Sequence, residues 1–184
     1  MKKYKIAVIV GSLRKESFNL KVAKSLESLA PNSMSFEFVP IGNLPMFNED
    51  LEDSPPKEWE DFRKTIKKSD ALLFLTPEYN RSVPAVLKNA IDVGSRPYGE
   101  NSFDGKPGAV VSVSPSAIGA FGANHHLRQS LVFLNVLTMA QPEAYIGGVD
   151  KLYDKDGKLT NDSTKKFLKD FVNAFEKWVE MHVE

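Results

Sequence analysis

The run Ile6-Ala7-Val8-Ile9-Val10, followed by Gly11-Ser12-Leu13-Arg14-Lys15-Glu16-Ser17-Phe18-Asn19, decides how the rest of this chain reads. The first five residues are apolar and mostly β-branched, which suits a strand covered on both faces. A helical pattern begins at Phe18 and runs to Leu29. A buried strand therefore ends in a hydroxyl-bearing turn that opens a helix. The first N–H groups of that helix have no carbonyl one turn earlier to meet, and the positive end of the helix dipole lies behind them. Such a place binds phosphate. Gly11 lets the chain bend and approach a ligand, Ser12 and Ser17 offer hydroxyls, and Arg14 offers a planar fork of donors.

Outward from this stretch, short β-branched segments alternate with helical periodicity. Strands are expected at Ile6 to Val10, Ser35 to Val39, Ala71 to Thr76, Ala109 to Val113 and Ala144 to Ile146. Helices are expected at Phe18 to Leu29, Lys57 to Lys68, Val83 to Val93, Gly122 to Leu137 and Thr164 to Val179. Alternation of this kind gives an α/β fold, a parallel sheet with helices on both faces. Ser17 is placed as the cap of the first helix, Pro55-Pro56 opens the second, and Asp162-Ser163 precedes the last. In the last helix Phe167, Leu168, Phe171, Phe175 and Trp178 share one broad face, as a helix docked on the sheet requires.

Length and composition narrow the partners. With 184 residues the chain reads as one domain, residues 1–184, with no linker or repeat. A chain of this size buries roughly 70% of its unfolded surface. Lys plus Arg and Asp plus Glu are 24 each, so no charge excess points to nucleic acid or an anionic membrane, and a small-molecule partner is expected. There is no cysteine, which excludes disulfides and thiol chemistry. The Lys2-Lys3 start precedes too short an apolar run for a signal peptide, and no stretch of about 18 apolar residues exists, so the expected location is the cytoplasm.

Ligands of open α/β sheets sit beyond the carboxyl ends of the strands, so the loops after the first, third and fourth strands belong together. The third strand leads into Thr76-Pro77-Glu78-Tyr79-Asn80-Arg81-Ser82-Val83-Pro84. Prolines stiffen this loop, Tyr79 presents a flat face, and the backbone can bond the edge of a planar heteroaromatic ring. The fourth strand leads into Ser112-Val113-Ser114-Pro115-Ser116-Ala117-Ile118-Gly119-Ala120-Phe121-Gly122, again small, hydroxylic and glycine-bearing. The loop after the third strand reads equally as an ordinary βα turn, and three such loops on one edge would form a cleft for a ligand with a phosphate at one end and a flat ring at the other.

Gly11-Ser12-Leu13-Arg14 through Ser17-Phe18-Asn19, Pro77-Glu78-Tyr79-Asn80 with Ser82-Val83-Pro84, and Leu87-Lys88-Asn89-Ala90-Ile91-Asp92 together resemble the NADPH-dependent FMN reductases, nearest their bacterial chromate and quinone reductase branch. His126-Leu127-Arg128-Gln129, Pro142-Glu143 and Gly147-Gly148 extend the resemblance. It implies a flavodoxin-like, doubly wound five-stranded parallel sheet of order 2-1-3-4-5 and bound FMN. It places Ser12, Arg14, Ser17, Phe18 and Asn19 around the phosphate and ribityl chain. Pro77, Glu78, Tyr79 and Asn80 would line the isoalloxazine, with Ser114 on its other side. NADPH or NADH would pass hydride to the flavin, and a quinone, azo or nitro compound, metal oxyanion such as chromate, or free flavin would then take the electrons. No catalytic acid, base or metal ligand is needed, although backbone N–H groups from Glu78 to Asn80 suit negative charge on reduced flavin. Homodimers or homotetramers are implied, with the flavin near the subunit boundary. Glu16 departs from the glycine common in relatives, so its carboxylate must face away from the phosphate. Pro115-Ser116 is a second departure.

The alternative from another class is a flavodoxin-type carrier of single electrons, which the balanced charge disfavours. No Gly-x-Gly-x-x-Gly, Gly-Lys-Ser/Thr or Gly-x-Ser-x-Gly motif is present. Asp154-Lys155-Asp156-Gly157 reads as a turn, because an EF-hand register would put Leu152 first and Ser163 last. Asn161-Asp162-Ser163 is a sequon without a secretory context. His125 and His126, adjacent on a helix, face apart and make a poor metal pair. His126 and Arg128 read as structural or interface groups. The apolar loop Leu44-Pro45-Met46-Phe47-Asn48 is expected either to cover the flavin and influence acceptor choice or simply to pack over the sheet edge.

Overall fold

A computed structural model describes residues 3–183, so Lys2 and the outermost ends of the expected 1–184 domain lie outside it. The elements alternate: β1 Tyr4–Val10, α1 Phe18–Leu29, β2 Met34–Phe38, α2 Lys57–Lys67, β3 Ala71–Thr76, α3 Ala85–Gly94, β4 Pro107–Val113, α4 Phe121–Phe133, β5 Leu137–Thr138, β6 Ala144–Ile146 and α5 Asp162–His182. The sheet runs β2-β1-β3-β4-β5, every pairing parallel, and β6 also pairs with β4. This is the doubly wound, flavodoxin-like order.

Strand alternation sends side chains into two cores. Ile6, Val8, Leu73, Leu75 and Val111 face α1 and α5, where Val22, Leu26, Phe171 and Phe175 meet them. Ala7, Ile9, Leu72, Phe74 and Val110 face the other way, onto Trp59, Phe62, Leu87, Ile91 and Leu127 of α2, α3 and α4. The docked face expected of the last helix is therefore real, with Leu168, Phe171 and Phe175 fully buried. Each such side chain contributes about 1.5–3 kcal/mol by leaving water.

Two expectations need correction. The helix expected to reach Leu137 stops at Phe133, because the chain turns at Asn135, which holds a left-handed φ of 54°. Leu137 then enters the sheet. The fifth sheet position is consequently built from two pieces, β5 against Pro107-Gly108 and β6 against Val111–Val113. The last helix begins earlier than expected and is capped by Asn161, whose side-chain oxygen accepts from Thr164 N at 2.9 Å. Asp154 closes the Asp-Gly turn, accepting from Asp156 N and Lys158 N at 3.0 and 2.8 Å. Among the described residues no helix is long and apolar enough to cross a membrane, and no cluster of metal-ligating side chains is found.

The chain passes from β1 outward to β2, then returns to the opposite flank of β1 as β3. The reversal leaves the carboxyl ends of β1 and β3 side by side, with Val10 opposite Leu75. Gly11 N continues the ladder, donating to Leu75 O at 2.8 Å.

Candidate functional site

At this reversal a cleft of about 110 Å³ is lined by Ser12, Arg14, Phe18 and Asn19 after β1, Pro77, Glu78 and Tyr79 after β3, and Val113, Ser114 and Pro115 after β4. Eight of the ten residues expected at the site therefore share one cavity. Ser17 and Asn80 do not line it. Larger hollows lie elsewhere, but this one gathers loops from the carboxyl ends of the three central strands.

Ser17 works one layer behind. It is buried, and its hydroxyl accepts from Leu20 N at 3.2 Å, capping α1 and holding the first turn toward the cleft. The N–H groups of Phe18 and Asn19 have no carbonyl one turn earlier and remain open. Asn19 is only 3% exposed, and its side-chain oxygen is buried without a partner. An unmet buried acceptor costs about 1–3 kcal/mol, which marks it as a group awaiting a ligand or water. Arg14 is exposed, its guanidinium 5.8 Å from the Phe18 ring centroid. Glu16 pairs with Lys21 at 3.4 Å and carries no positive φ, so the carboxylate has a cation of its own and its backbone is unstrained. Gly11 serves packing: a Cβ there would come within 3.0 Å of a Leu87 methyl and 3.2 Å of Leu75 O. Its small size fits α3 against the sheet, and Gly11 itself does not line the cleft.

The second loop folds into a tight hairpin. Tyr79 and Ser82 exchange two backbone bonds of 3.0 Å, and Asn80 and Arg81 between them both hold positive φ, 52° and 65°. That pair of conformations defines a type I′ turn, and a left-handed arginine costs about 1–2 kcal/mol. The N–H of Tyr79 is thereby spent inside the turn. Among the described residues no protein group accepts from the N–H of Glu78 or Asn80, so two of the three expected backbone donors stay available.

Glu78 supplies a link that sequence reading missed. Helix α4 starts at a left-handed Ala120 with no side-chain cap of its own. The Glu78 carboxylate fills that role, accepting from Ala123 N at 3.0 Å while Arg81 holds its other oxygen at 3.2 Å. A negative group at a helix N-terminus is doubly favourable, through the hydrogen bond and the dipole. Gly122 makes room, since a Cβ there would lie 3.0 Å from the same carboxylate. The carboxylate of Glu78 thus braces the loop, and only its remaining surface faces the cleft. Ser114 does line the cleft, its hydroxyl accepting from Ser116 N at 3.0 Å in the turn that Pro115 stiffens.

The geometry is one phosphate-suited loop facing one rigid loop with a half-exposed tyrosine ring, Tyr79 at 50%. A family model described as NADPH-dependent FMN reductase matches residues 4–151. The chain belongs to the NADPH-dependent FMN reductase family. It is 61% identical over 180 residues to a quinone reductase of Pseudomonas putida, covering 97% of this chain and 96% of that one. It is 45% identical over 175 residues to a 2-hydroxy-1,4-benzoquinone reductase of a Burkholderia species, covering 95% and 96%. Among solved structures, the flavoenzyme NAD(P)H:(acceptor) oxidoreductase FerB of Paracoccus denitrificans superposes with a TM-score of 0.93 at 45% identity, covering 98% of this chain and 100% of the other.

As a member of this reductase family the chain is an FMN-dependent, NAD(P)H-using oxidoreductase, and the enzyme prevails over the single-electron carrier. In this FMN reductase the Leu44–Asn48 loop follows the packing alternative, and Arg128 and the two histidines make contacts within the chain. Phe47 stacks on Trp59 at 5.5 Å, and its N–H donates to the Asn89 side chain at 2.8 Å, while Asn89 also reaches Leu44 O and Pro45 O at 3.2 and 3.1 Å. The Leu44–Asn48 loop is thus pinned to α2 and α3, and no residue of it lines the cleft. Arg128 donates to Asn124 Oδ1 at 2.9 Å and Met139 O at 3.0 Å, tying α4 to the segment before β6. His125 bonds Tyr145 at 2.9 Å and His126 bonds Ser82 at 2.8 Å, so the two rings face different neighbours.

Proposed function

We propose that this oxidoreductase reduces quinones and that the cleft at the β1–β3 reversal is its FMN site. The supporting observation is the convergence of Ser12, Arg14, Phe18, Asn19, Pro77, Glu78, Tyr79 and Ser114 on one cavity that contains an unpartnered buried amide oxygen. The quinone reductase and benzoquinone reductase relatives, similar along nearly their whole length, support the acceptor class.

The donor set fits FMN. Ser12, the open N–H groups of α1 and the Arg14 fork suit a phosphate dianion, and hydrogen bonds to such a charge are worth about 1.5–3 kcal/mol. Asn19 offers its free oxygen to a hydroxyl of the ribityl chain. A cavity of about 110 Å³ is well below the 300–1,000 Å³ usual for whole ligands. It therefore takes the narrow end, and the wide ring lies along the rim formed by Pro77, Tyr79, Asn80 and Ser114. FMN, when bound, supplies the hydride acceptor and the electron source for the reaction.

What the chain contributes is position and field. Ser17 fixes the first turn of α1, so the phosphate donors are held before ligand arrives. Glu78, braced between Ala123 N and Arg81, keeps the N–H groups of Glu78 and Asn80 aimed outward. Preorganised donors of this kind favour negative charge without reorganising. Tyr79 offers a flat apolar wall that excludes water from one side. No side chain in the cleft needs to act as acid or base for hydride transfer, since nicotinamide and quinone bring the reacting atoms.

Residues 1–184 act, in this proposal, as a single flavin domain working in the cytoplasm. Half-exposed Ile118 and Phe121, at 49% and 51% in the segment that runs from β4 into α4, support pairing of chains into a homodimer or homotetramer. The test is anaerobic mixing of FMN-loaded protein with NADPH, then with 1,4-benzoquinone. Rapid loss of the flavin absorbance band and its return on adding quinone is the expected result. A band inert to both NADPH and NADH contradicts the proposal.

A further inference from the structure

On the outer side of α1 lies a second hollow of about 470 Å³, closed by Gly157, Lys158 and Leu159 of the hairpin turn and by Lys165 near the start of α5. Its volume falls inside the range of about 300–1,000 Å³ usual for small-molecule pockets. Leu20, Leu29 and Leu159 supply apolar surface. Lys21, Lys24, Lys158 and Lys165 also line it, and no lining residue is acidic. In a chain whose 24 basic and 24 acidic groups cancel, this is a local excess of one sign.

The polar groups sort into satisfied and unsatisfied. Lys21 pairs with Glu16 at 3.4 Å, and Lys24 pairs with Glu27 at 3.0 Å and lies 3.8 Å from the Phe38 ring centroid. The hydroxyls of Ser25 and Ser28 donate to the carbonyls of Lys21 and Ser25 at 3.0 and 2.8 Å. The ammonium groups of Lys158 and Lys165 meet no partner among the described residues. A hollow with apolar walls, met hydroxyls and two free ammonium groups suits a ligand that is apolar along its body and anionic at its end.

We propose that this hollow binds a small amphipathic anion, an aromatic or medium-chain carboxylate or sulfonate, whose body lies on Leu20, Leu29 and Leu159 and whose charge faces Lys158 and Lys165. The site is separate from the flavin cleft, and the proposal does not depend on the quinone reading. It is tested on FMN-loaded protein with anilinonaphthalene sulfonate at low ionic strength, read by fluorescence. One molecule binds per chain and is displaced by decanoate. Joint Lys158→Glu and Lys165→Glu weakens binding by about tenfold or more through charge reversal, and Ser28→Trp, which fills the hollow, abolishes it. Quinone reductase turnover of these variants stays within roughly twofold of the parent, as surface changes away from the flavin allow. Unchanged dye affinity in both variants overturns the proposal, as does displacement by free FMN in place of decanoate. One dye per two chains also overturns it, since the hollow would then be a contact between copies.

Discussion

The turn after β1, read as a phosphate site, and the loop from Leu44 to Asn48, read either as a flavin cover or as packing over the sheet edge, are built on opposite principles. In the Leu44–Asn48 loop the chain answers its own polar groups: Pro45 O receives Trp59 Nε1 at 2.9 Å, and Asn89 meets Phe47 N, Leu44 O and Pro45 O. Around the cleft the opposite holds. Asn19 keeps an unmet buried oxygen, Arg14 stands exposed, and Asn80-Arg81 sits in left-handed backbone. Apolar character did not separate the two regions. Between these two segments, unmet polar groups and backbone strain did, since such costs persist where the surrounding structure or a ligand offsets them.

This contrast can be broken or sharpened by substitution. The largest effect belongs to the self-satisfied region: Trp59→Ala removes a fully buried indole and the support of Phe47, and should cost about 3–5 kcal/mol in denaturant unfolding. FMN affinity of the folded fraction should not change. On the cleft side, Arg14→Ala should leave unfolding within about 0.5 kcal/mol while weakening FMN by about 1.5–3 kcal/mol in an equilibrium titration. A stability loss as large as that of Trp59→Ala would erase the distinction. Asn19→Leu replaces an unmet amide by an apolar side chain of similar size, so the FMN-free protein should unfold at equal or higher denaturant while FMN binds about 1 kcal/mol more weakly. The smallest change is Arg81→Gly. It relieves the left-handed backbone, a gain of about 1–2 kcal/mol, offset in part by loss of the 3.2 Å pair between exposed Arg81 and the largely covered Glu78 carboxylate. Chemical denaturation should show a net gain near ~1 kcal/mol.

Much of this was legible in the chain itself. Hydrophobic runs mark Ala71–Thr76 and Ala144–Ile146 to the residue, Ser17 marks the start of α1, and the order 2-1-3-4-5 follows from the family resemblance. What escaped depended on contacts remote in sequence or on one backbone angle. The period carried by Leu131, Leu134 and Leu137 continues as a helix would, and only the left-handed turn at Asn135 moves Leu137 into the sheet. The capping role of the Glu78 carboxylate escaped because the helix end it caps lies 45 residues away. Phe47 reads as exposed and apolar because its stack on Trp59 is a tertiary event. Asn89, by contrast, sits inside a quoted motif, and its three bonds to the Leu44–Asn48 loop explain why an amide is needed at that buried position.

The central claim is that the turn leaving β1 grips a phosphate and lays the attached ring along the turns after β3 and β4. A crystal structure of the FMN-loaded protein measures this directly. Phosphate density is expected within hydrogen-bonding distance of Ser12 and Arg14, with the ring against Pro77 to Asn80. Phosphate held instead among the lysines of the α1 hollow, or a ring lying over the Leu44–Asn48 loop, would contradict it.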